Sequence, residues 1–221
     1  TPFTPQSAAF DFGLKTIINN AFKGNFKPKA LKDKSIAGWP GMSRWAVTFV
    51  DNHDTYRESG TKMDNDHHVL AANALILTLT GTPCIFYPHW TAHKDALRHM
   101  IAARKLVGIT NESPITLQRG ACRGKAYRIR VDGTRGALLL HLGPSSTRNL
   151  EGFCSVWHGD EDNHDFALYI TLDCYLAVGK NERTVYFEAP ADWGEDIHCY
   201  AWRGKKEYTQ AWPGNKRERV D

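Results

Sequence analysis

The sequence has no apolar run long enough to cross a membrane. Its most apolar stretch, residues 69–81, carries Asn73 and is shorter than the roughly 18 residues that a spanning helix needs. The chain also has no large basic patch, because its densest basic runs, at 203–206 and 215–219, are short and the net charge is only +4. The sequence therefore predicts neither a membrane span nor a nucleic-acid partner, and its 42% hydrophobic and 24% charged residues favour a globular protein.

Metal-binding patterns are equally scarce. The 5 cysteines include no Cys-x-x-Cys pair, which argues against a structural zinc site. His89 and His93 have the i, i+4 spacing of metal ligands, but Pro88 and Trp90 favour a loop between them and no third, acidic ligand is evident. No metal site is predicted, whereas disulfides and buried free thiols are both compatible with the cysteine spacing.

The first half of the chain alternates strand-like and helix-like segments. A continuous apolar run at 46–50 is typical of a buried parallel strand, and from Leu14 apolar residues recur at the spacing of an amphipathic helix that Gly24 ends. Alternation of this kind indicates βα units on a parallel sheet. The pattern predicts strands at 8–12, 46–50 and 83–87, with helices from 14, over 66–79 and within 93–109.

After Thr110 the pattern changes to short strands separated by turn residues. Such spacing is typical of antiparallel β domains. The best linker inside this region is 178–183. The predicted strands lie at 126–133, 136–143, 152–159, 165–172, 183–190 and 196–204.

The stretch VTFVDNHDTYR, Val47–Arg57, ends an apolar strand in a cluster of polar residues. In parallel α/β barrels the functional groups lie at the carboxyl ends of the strands. Asp54 beside His53 can therefore hydrogen-bond sugar hydroxyls and place negative charge near a developing oxocarbenium ion. The alternative is structural: Asp51 or Asp54 caps the next turn, and His53 packs at the strand end.

The motifs also resemble a known family. Residues 49–55, FVDNHDT, resemble the last sequence signature of the α-amylase family, glycoside hydrolase family 13, at the end of barrel strand seven. Residues 81–90 resemble strand eight, and residues 7–22 resemble strand six with its helix. The resemblance implies a fold of α/β plus all-β type, in which 1–109 form strands six to eight of a (β/α)8 TIM barrel and 110–180 form an antiparallel β-sandwich, domain C.

The same resemblance implies roles for the site residues and a departure from the family. Asp54 corresponds to the transition-state stabiliser and His53 to a contact with a substrate hydroxyl, with Asn52 also in the substrate-binding set. The nucleophile and the general acid come from strands four and five, for which this chain has no counterpart. Arg130 and Asp132 imitate part of the nucleophile signature, but they follow strand eight and are interpreted as an ordinary strand ending in an Asp-Gly turn.

A second resemblance begins at Thr184. Residues 181–221 are similar to the first part of a starch-binding module of carbohydrate-binding module family 26, a β-sandwich that is truncated here. Trp202 and Trp212 are predicted to stack on glucose rings, and Tyr200 to stack or to belong to the core of this small domain.

These resemblances imply the C-terminal portion of a retaining α-amylase-like hydrolase that cleaves α-1,4-glucosidic bonds in starch or related α-glucans and is inactive alone. They also imply a companion polypeptide carrying barrel strands one to five, where any calcium is bound, and no cofactor within this chain. The alternative is a non-catalytic starch-binding protein. A polymeric substrate favours a secreted or cell-surface location.

Overall fold

A computed structural model divides the chain into two compact units, Thr1–Glu182 and Arg183–Asp221. Each unit is described by itself. The structure describes residues 5–23, 27–58, 60–63, 66–119, 127–143, 150–158 and 166–173, and the pairs 198–199, 202–203, 206–207 and 215–216.

The first unit begins with the predicted alternation of strands and helices. Three strands form a parallel sheet in the order β1-β2-β3. Helices connect these strands and follow the last one, so the predicted parallel α/β arrangement is confirmed. The strands are β1 (Ala9–Phe10), β2 (Ala46–Phe49) and β3 (Thr82–Cys84), and the helices are α1 (Phe12–Phe22), α2 (Pro28–Lys34), α3 (His53–Arg57), α4 (Asp66–Thr78), α5 (Tyr87–Ala92) and α6 (Lys94–Val107).

Three local predictions differ from the structure. The strand predicted at 83–87 ends at Cys84 and is only partly buried, because β3 is a sheet edge within the described part of the chain. The segment around Pro88 and Trp90, predicted as a loop, is helix α5. Proline is tolerated in the first turn of a helix because the N–H that it lacks would have no hydrogen-bond partner within the helix there. Helix α1 also begins at Phe12, before the predicted Leu14, because the Asp11 side chain accepts a hydrogen bond from the Leu14 N–H at 2.9 Å.

Helix α4 is apolar on every side along most of its length. Ala71, Ala72, Ala74, Leu75 and Ile76, which point in different directions around the helix, are all fully buried. This pattern follows from its position, because α4 contacts β2 of the parallel sheet as well as β5 (Tyr127–Asp132) and β6 (Ala137–Leu142) of a second sheet. No helix in the described part of the chain has the length and apolar character to span a membrane.

The second sheet has five antiparallel strands. Three further strands, β4 (Ile115–Arg119), β7 (Phe153–His158) and β8 (Phe166–Thr171), join β5 and β6 in the order β4-β5-β6-β8-β7. The predicted antiparallel region is therefore present, but among the described residues it is one sheet packed on helices α4 and α6 rather than the two sheets of a sandwich.

The end of α6 is joined to this second sheet through a close turn. Gly108 has a positive φ of 73°, and a Cβ there would lie 2.2 Å from the Thr134 hydroxyl, so the site requires glycine. The Thr134 N–H donates to the Gly108 carbonyl at 3.0 Å, and Arg135 Nε donates to the Leu106 carbonyl at 2.8 Å. The turn between β5 and β6 thus caps the C-terminus of α6.

The described residues of the second unit form two short antiparallel ladders. Strand β9 (His198–Cys199) pairs with β12 (Asn215–Lys216), and β10 (Trp202–Arg203) pairs with β11 (Lys206–Glu207).

A buried arginine caps the C-terminus of α4. Arg104, on α6, donates from Nη1 to the carbonyls of Leu77 and Leu79, both at 2.7 Å, and from Nη2 to the carbonyl of Gly81 at 3.0 Å. Burial lowers the pKa of Arg104 to about 10, which leaves the guanidinium charged at neutral pH. A cation at this end of α4 also complements the helix dipole.

Replacing this guanidinium is expected to destabilise the first unit. Arg104→Met leaves several buried carbonyls without a donor, at roughly 1–3 kcal/mol each, so we expect a loss of about 3 kcal/mol in the free energy of unfolding. Urea unfolding of the chain followed by circular dichroism measures it, with Arg98→Met at an exposed position of the same helix as control. Equal urea midpoints for the two variants would contradict the capping role.

Candidate functional site

The polar segment after β2 is built on a helix cap. Asn52 is the N-cap of α3, and its side-chain oxygen accepts hydrogen bonds from the N–H groups of Asp54 at 3.1 Å and Thr55 at 2.9 Å. The Asn52 N–H donates in return to the Thr55 hydroxyl at 3.0 Å. This reciprocal capping box fixes the turn in which His53 and Asp54 stand as the first two helical residues.

His53 and Asp54 form an exposed pair. His53 Nε2 lies 3.3 Å from Asp54 Oδ1, and the two side chains are 72% and 70% exposed. Both side chains are therefore accessible to a ligand at the carboxyl end of the parallel sheet. A carboxylate and an imidazole in this position can together bind vicinal hydroxyl groups.

Beneath this exposed pair lies a buried carboxylate. Asp51 is 2% exposed and its Oδ1 lies 2.6 Å from Lys15 Nζ of α1. The same oxygen accepts from the Thr55 hydroxyl at 3.3 Å, while Oδ2 accepts from the Met63 N–H at 3.3 Å. His89 Nε2 of α5 also lies 3.3 Å from Oδ2.

The partners of Asp51 are themselves held by other elements. Lys15 Nζ also donates to Asn19 Oδ1 at 3.1 Å, and the Asn19 amide donates to the carbonyl of Thr61 at 2.8 Å. On the other side, His89 Nδ1 lies 3.3 Å from the side-chain nitrogen of Asn73 on α4. The network thus connects α1, α3, α4 and α5 around the end of β2.

The network determines the charge state of Asp51. Burial raises the pKa of this carboxyl, but the contacts with His89 and Lys15, the Lys15 charge and the Met63 N–H outweigh burial and leave the pKa below its ordinary value of 3.8. Asp51 is therefore ionised at neutral pH.

Sequence reasoning found the exposed part of this site and missed its buried support. Asn52, His53 and Asp54 lie together as expected at a strand end. The capping alternative is wrong, because Asn52 rather than Asp51 or Asp54 caps the turn and the His53 side chain is exposed. Lys15 was not predicted. It precedes the apolar residues Ile18 and Phe22 by three and seven positions, which places it on the buried face of α1. A buried lysine requires an acidic partner.

The aromatic surroundings of the site were also not predicted. Tyr56, which is 37% exposed, packs against Phe86 with ring centroids 5.2 Å apart, and Lys62 Nζ lies 4.1 Å from the centroid of the Tyr56 ring. Tyr87, at the start of α5, is 74% exposed. The described residues contain no group of three or more His, Cys, Asp or Glu side chains able to hold a metal ion.

Other sequence candidates lie elsewhere. Arg130 Nη2 and Asp132 Oδ1 form their own pair at 2.8 Å at the end of β5, which confirms the interpretation as an ordinary strand end. Trp202 belongs to β10, but its side chain, like Tyr200 and Trp212 as a whole, lies outside the described residues.

Known proteins are similar to this chain in sequence and in fold. The chain is 35% identical over 131 residues to the α-amylase type B isozyme of Hordeum vulgare, a match that covers 57% of this chain and 80% of that sequence. It is 36% identical over 117 residues to a probable α-amylase 2 of Arabidopsis thaliana, covering 49% of this chain and 26% of the relative. It is 34% identical over 123 residues to a glucan 1,4-α-maltotetraohydrolase of Roseateles saccharophilus, covering 50% of this chain and 21% of the relative.

The solved structures agree at the level of fold. A cyclomaltodextrin glucanotransferase with a three-domain ABC distribution superposes with a TM-score of 0.51 at 16% identity, over 73% of this chain and 44% of that one. No family model matches the sequence. The similarity to the barley isozyme shows that the chain belongs to the α-amylase family, and the chain spans about a quarter of the Arabidopsis relative and under half of the structural neighbour.

The lowered pKa of Asp51 predicts a specific acid sensitivity. A carboxyl whose pKa is lower in the folded than in the unfolded state contributes stability above about pH 4 and loses it as pH falls through the folded pKa. The Lys15 ammonium is the cation that faces it, and the His89 ring lies beside its other oxygen. The free energy of unfolding in urea should therefore fall more between pH 5 and pH 3 for the wild type than for Asp51→Asn. Equal decreases would show that Asp51 titrates as in the unfolded chain.

Proposed function

We propose that this chain is part of the catalytic domain of a retaining α-amylase-type hydrolase that cleaves α-1,4-glucosidic bonds in starch or related α-glucans. The observation that carries the proposal is the exposed His53–Asp54 pair at the carboxyl end of a parallel strand, in a chain whose relatives are named α-amylases and a maltotetraohydrolase.

In this proposal β1, β2 and β3 are strands six, seven and eight of a (β/α)8 barrel. Three parallel strands that follow one another in both sequence and space, with helices between them, are the arrangement of consecutive barrel strands. The antiparallel sheet after α6 then belongs to domain C. The candidate site lies where barrel enzymes place their chemistry, at the carboxyl ends of the strands.

In this proposal the catalytic residues come partly from this chain and partly from the rest of the barrel. Retaining glycosidases use a nucleophile and a general acid whose carboxyl groups lie about 5–5.5 Å apart. We place both on strands four and five of a companion polypeptide, or of a longer form of this chain. Asp54 contributes negative charge that stabilises the oxocarbenium-like transition state, His53 donates a hydrogen bond to a sugar hydroxyl, and Asn52 contributes its side-chain amide to the same surface.

The second unit is proposed to hold the polymer without cleaving it. Its two antiparallel ladders suit a small β module, and β10 carries Trp202. Stacking of Trp202, Trp212 and Tyr200 on glucose rings would raise the local concentration of substrate at the hydrolase. Should the chain act alone, this unit supports the second candidate function, an α-glucan-binding protein. Because starch-like polymers are large, we propose a secreted or cell-surface location.

The role of Asp54 is tested in the intact enzyme, in which this chain is joined or bound to the part of the barrel that carries strands one to five. Asp54→Asn keeps the shape of the side chain and removes its charge. Loss of one transition-state contact of this kind lowers kcat about a hundredfold or more, with a smaller effect on KM. Initial rates on maltoheptaose measure both constants.

The matched control is Asp33→Asn, which removes the charge of another exposed carboxylate, on α2. It should leave kcat and KM near their wild-type values. A wild-type kcat for Asp54→Asn would refute the catalytic role, and the α-glucan-binding function would then be the better assignment.

The aromatic platform gives a second, independent prediction. Each stacked ring contributes on the order of 1 kcal/mol, so Trp202→Ala and Trp212→Ala should each weaken binding of maltoheptaose about fivefold without loss of folding. Isothermal titration measures the affinity and circular dichroism the fold, with Trp39→Ala, which changes a half-exposed tryptophan of the first unit, as control. Unchanged affinity in folded variants, or unfolding in place of weaker binding, would assign these residues to a structural core.

A further inference from the structure

We propose that the buried Lys15–Asp51 ion pair positions α3, and thereby sets the orientation in which His53 and Asp54 meet an α-glucan. Asp51 and Lys15 are positioning residues in this account and do not touch the substrate. The inference rests on the proposed function, because the orientation of His53 and Asp54 matters for catalysis only if the glucan binds there.

A path of polar contacts runs from the ion pair to the backbone N–H of Asp54. Lys15 Nζ lies 2.6 Å from Asp51 Oδ1, and this oxygen accepts from the Thr55 hydroxyl at 3.3 Å. The same hydroxyl accepts from the Asn52 N–H at 3.0 Å. The Asn52 side chain then accepts from the Asp54 N–H at 3.1 Å. Thr55 is therefore the link between the buried ion pair and the capping box of α3.

The second oxygen of Asp51 holds the chain after α3. It accepts from the Met63 N–H at 3.3 Å and lies 3.3 Å from His89 Nε2. Helix α3 is thus anchored to one carboxylate at its first turn and again six residues after its end at Arg57. Because both oxygens have partners, the carboxylate cannot rotate without breaking contacts on α1, α3 or the following segment.

This arrangement is a poor way to gain stability alone. A buried ion pair must offset the desolvation of two charges, and well-packed apolar residues of similar volume are often as stabilising. Apolar residues at 15 and 51 could fill the same space beneath α3. They could not accept the hydrogen bond from Thr55, which gives the first turn of α3 its direction. The positioning role is therefore separable from stability.

The experiment uses two kinds of variant. Lys15→Met/Asp51→Leu replaces the charges with apolar residues of similar volume, and Thr55→Val keeps the ion pair but removes the hydroxyl that connects it to Asn52. Thr48→Val is the matched control, because the Thr48 hydroxyl is buried on β2, the strand that precedes Asp51, and has no hydrogen-bond partner among the described residues.

Three quantities are measured for each variant: the urea midpoint of the chain, the exchange rates of the Asn52 and Thr55 amides by NMR, and kcat and KM of the intact enzyme on maltoheptaose. We expect the double variant and Thr55→Val to remain folded in the urea titration, to exchange these amides at least about tenfold faster, and to lose at least about tenfold in kcat with little change in KM. Thr48→Val should match wild type in all three.

Wild-type exchange rates in Thr55→Val would overturn the proposal, whatever the activity. Faster exchange with an unchanged kcat would also overturn it, provided that Asp54→Asn lowers kcat in the same assay. If Asp54→Asn itself has wild-type kcat, the proposed catalytic role of Asp54 fails, and so does the proposed effect of the ion pair on catalysis. The exchange rates still report whether the ion pair orders α3. Should the double variant unfold, the exchange rate of the Thr55 amide in Thr55→Val decides the outcome, because this N–H donates to Asn52 Oδ1 and not to the hydroxyl that is removed.

Discussion

The buried carboxylate of Asp51 is the constraint on which the carboxyl end of the parallel sheet depends. A charge that is 2% exposed must be neutralised within the protein, and its partners come from different elements: Lys15 from α1, Thr55 from α3 and His89 from α5. Since each partner has to approach within hydrogen-bonding or ion-pairing distance of one group, the ends of these helices are fixed relative to β2. An apolar contact would tolerate sliding, whereas this set of directed contacts does not.

A second constraint determines how the two sheets of the first unit relate. Helix α4 contacts both β2 and the antiparallel strands β5 and β6, so its apolar surface is continuous around the helix. Buried side chains of α4, such as Leu75, and of the antiparallel strands, such as Ile129 and Leu140, belong to one apolar cluster. The parallel and antiparallel regions therefore share a core, and the Arg104 guanidinium that caps α4 stabilises the junction between α4 and β3.

Local patterns were enough to predict most of this fold. The apolar run at 46–50 and the apolar segments of α4 and α6 predicted the right elements, because each of them buries apolar side chains. Two of the errors are that β3 is shortened at a sheet edge and that helix α5 includes Pro88 as its second residue. In the site, the positions of His53 and Asp54 could be predicted because they directly follow β2 in the sequence. The pairing of Lys15 with Asp51 could not, because the two residues are 36 positions apart and the only local indication is a lysine on an apolar helix face.

The two carboxylates of the segment Asp51–Asp54 lie in different environments, although they are only three residues apart. Asp51 is the buried one, and its oxygens are held by Lys15, Thr55 and Met63 in an ionised state that resists protonation. Asp54, three residues later, is 70% exposed beside His53. Because helix α3 begins between them, the backbone turns the second carboxylate away from the core that holds the first. Environment rather than residue type thus separates their tasks, with Asp51 fixing the turn and Asp54 left accessible to a ligand at the strand end.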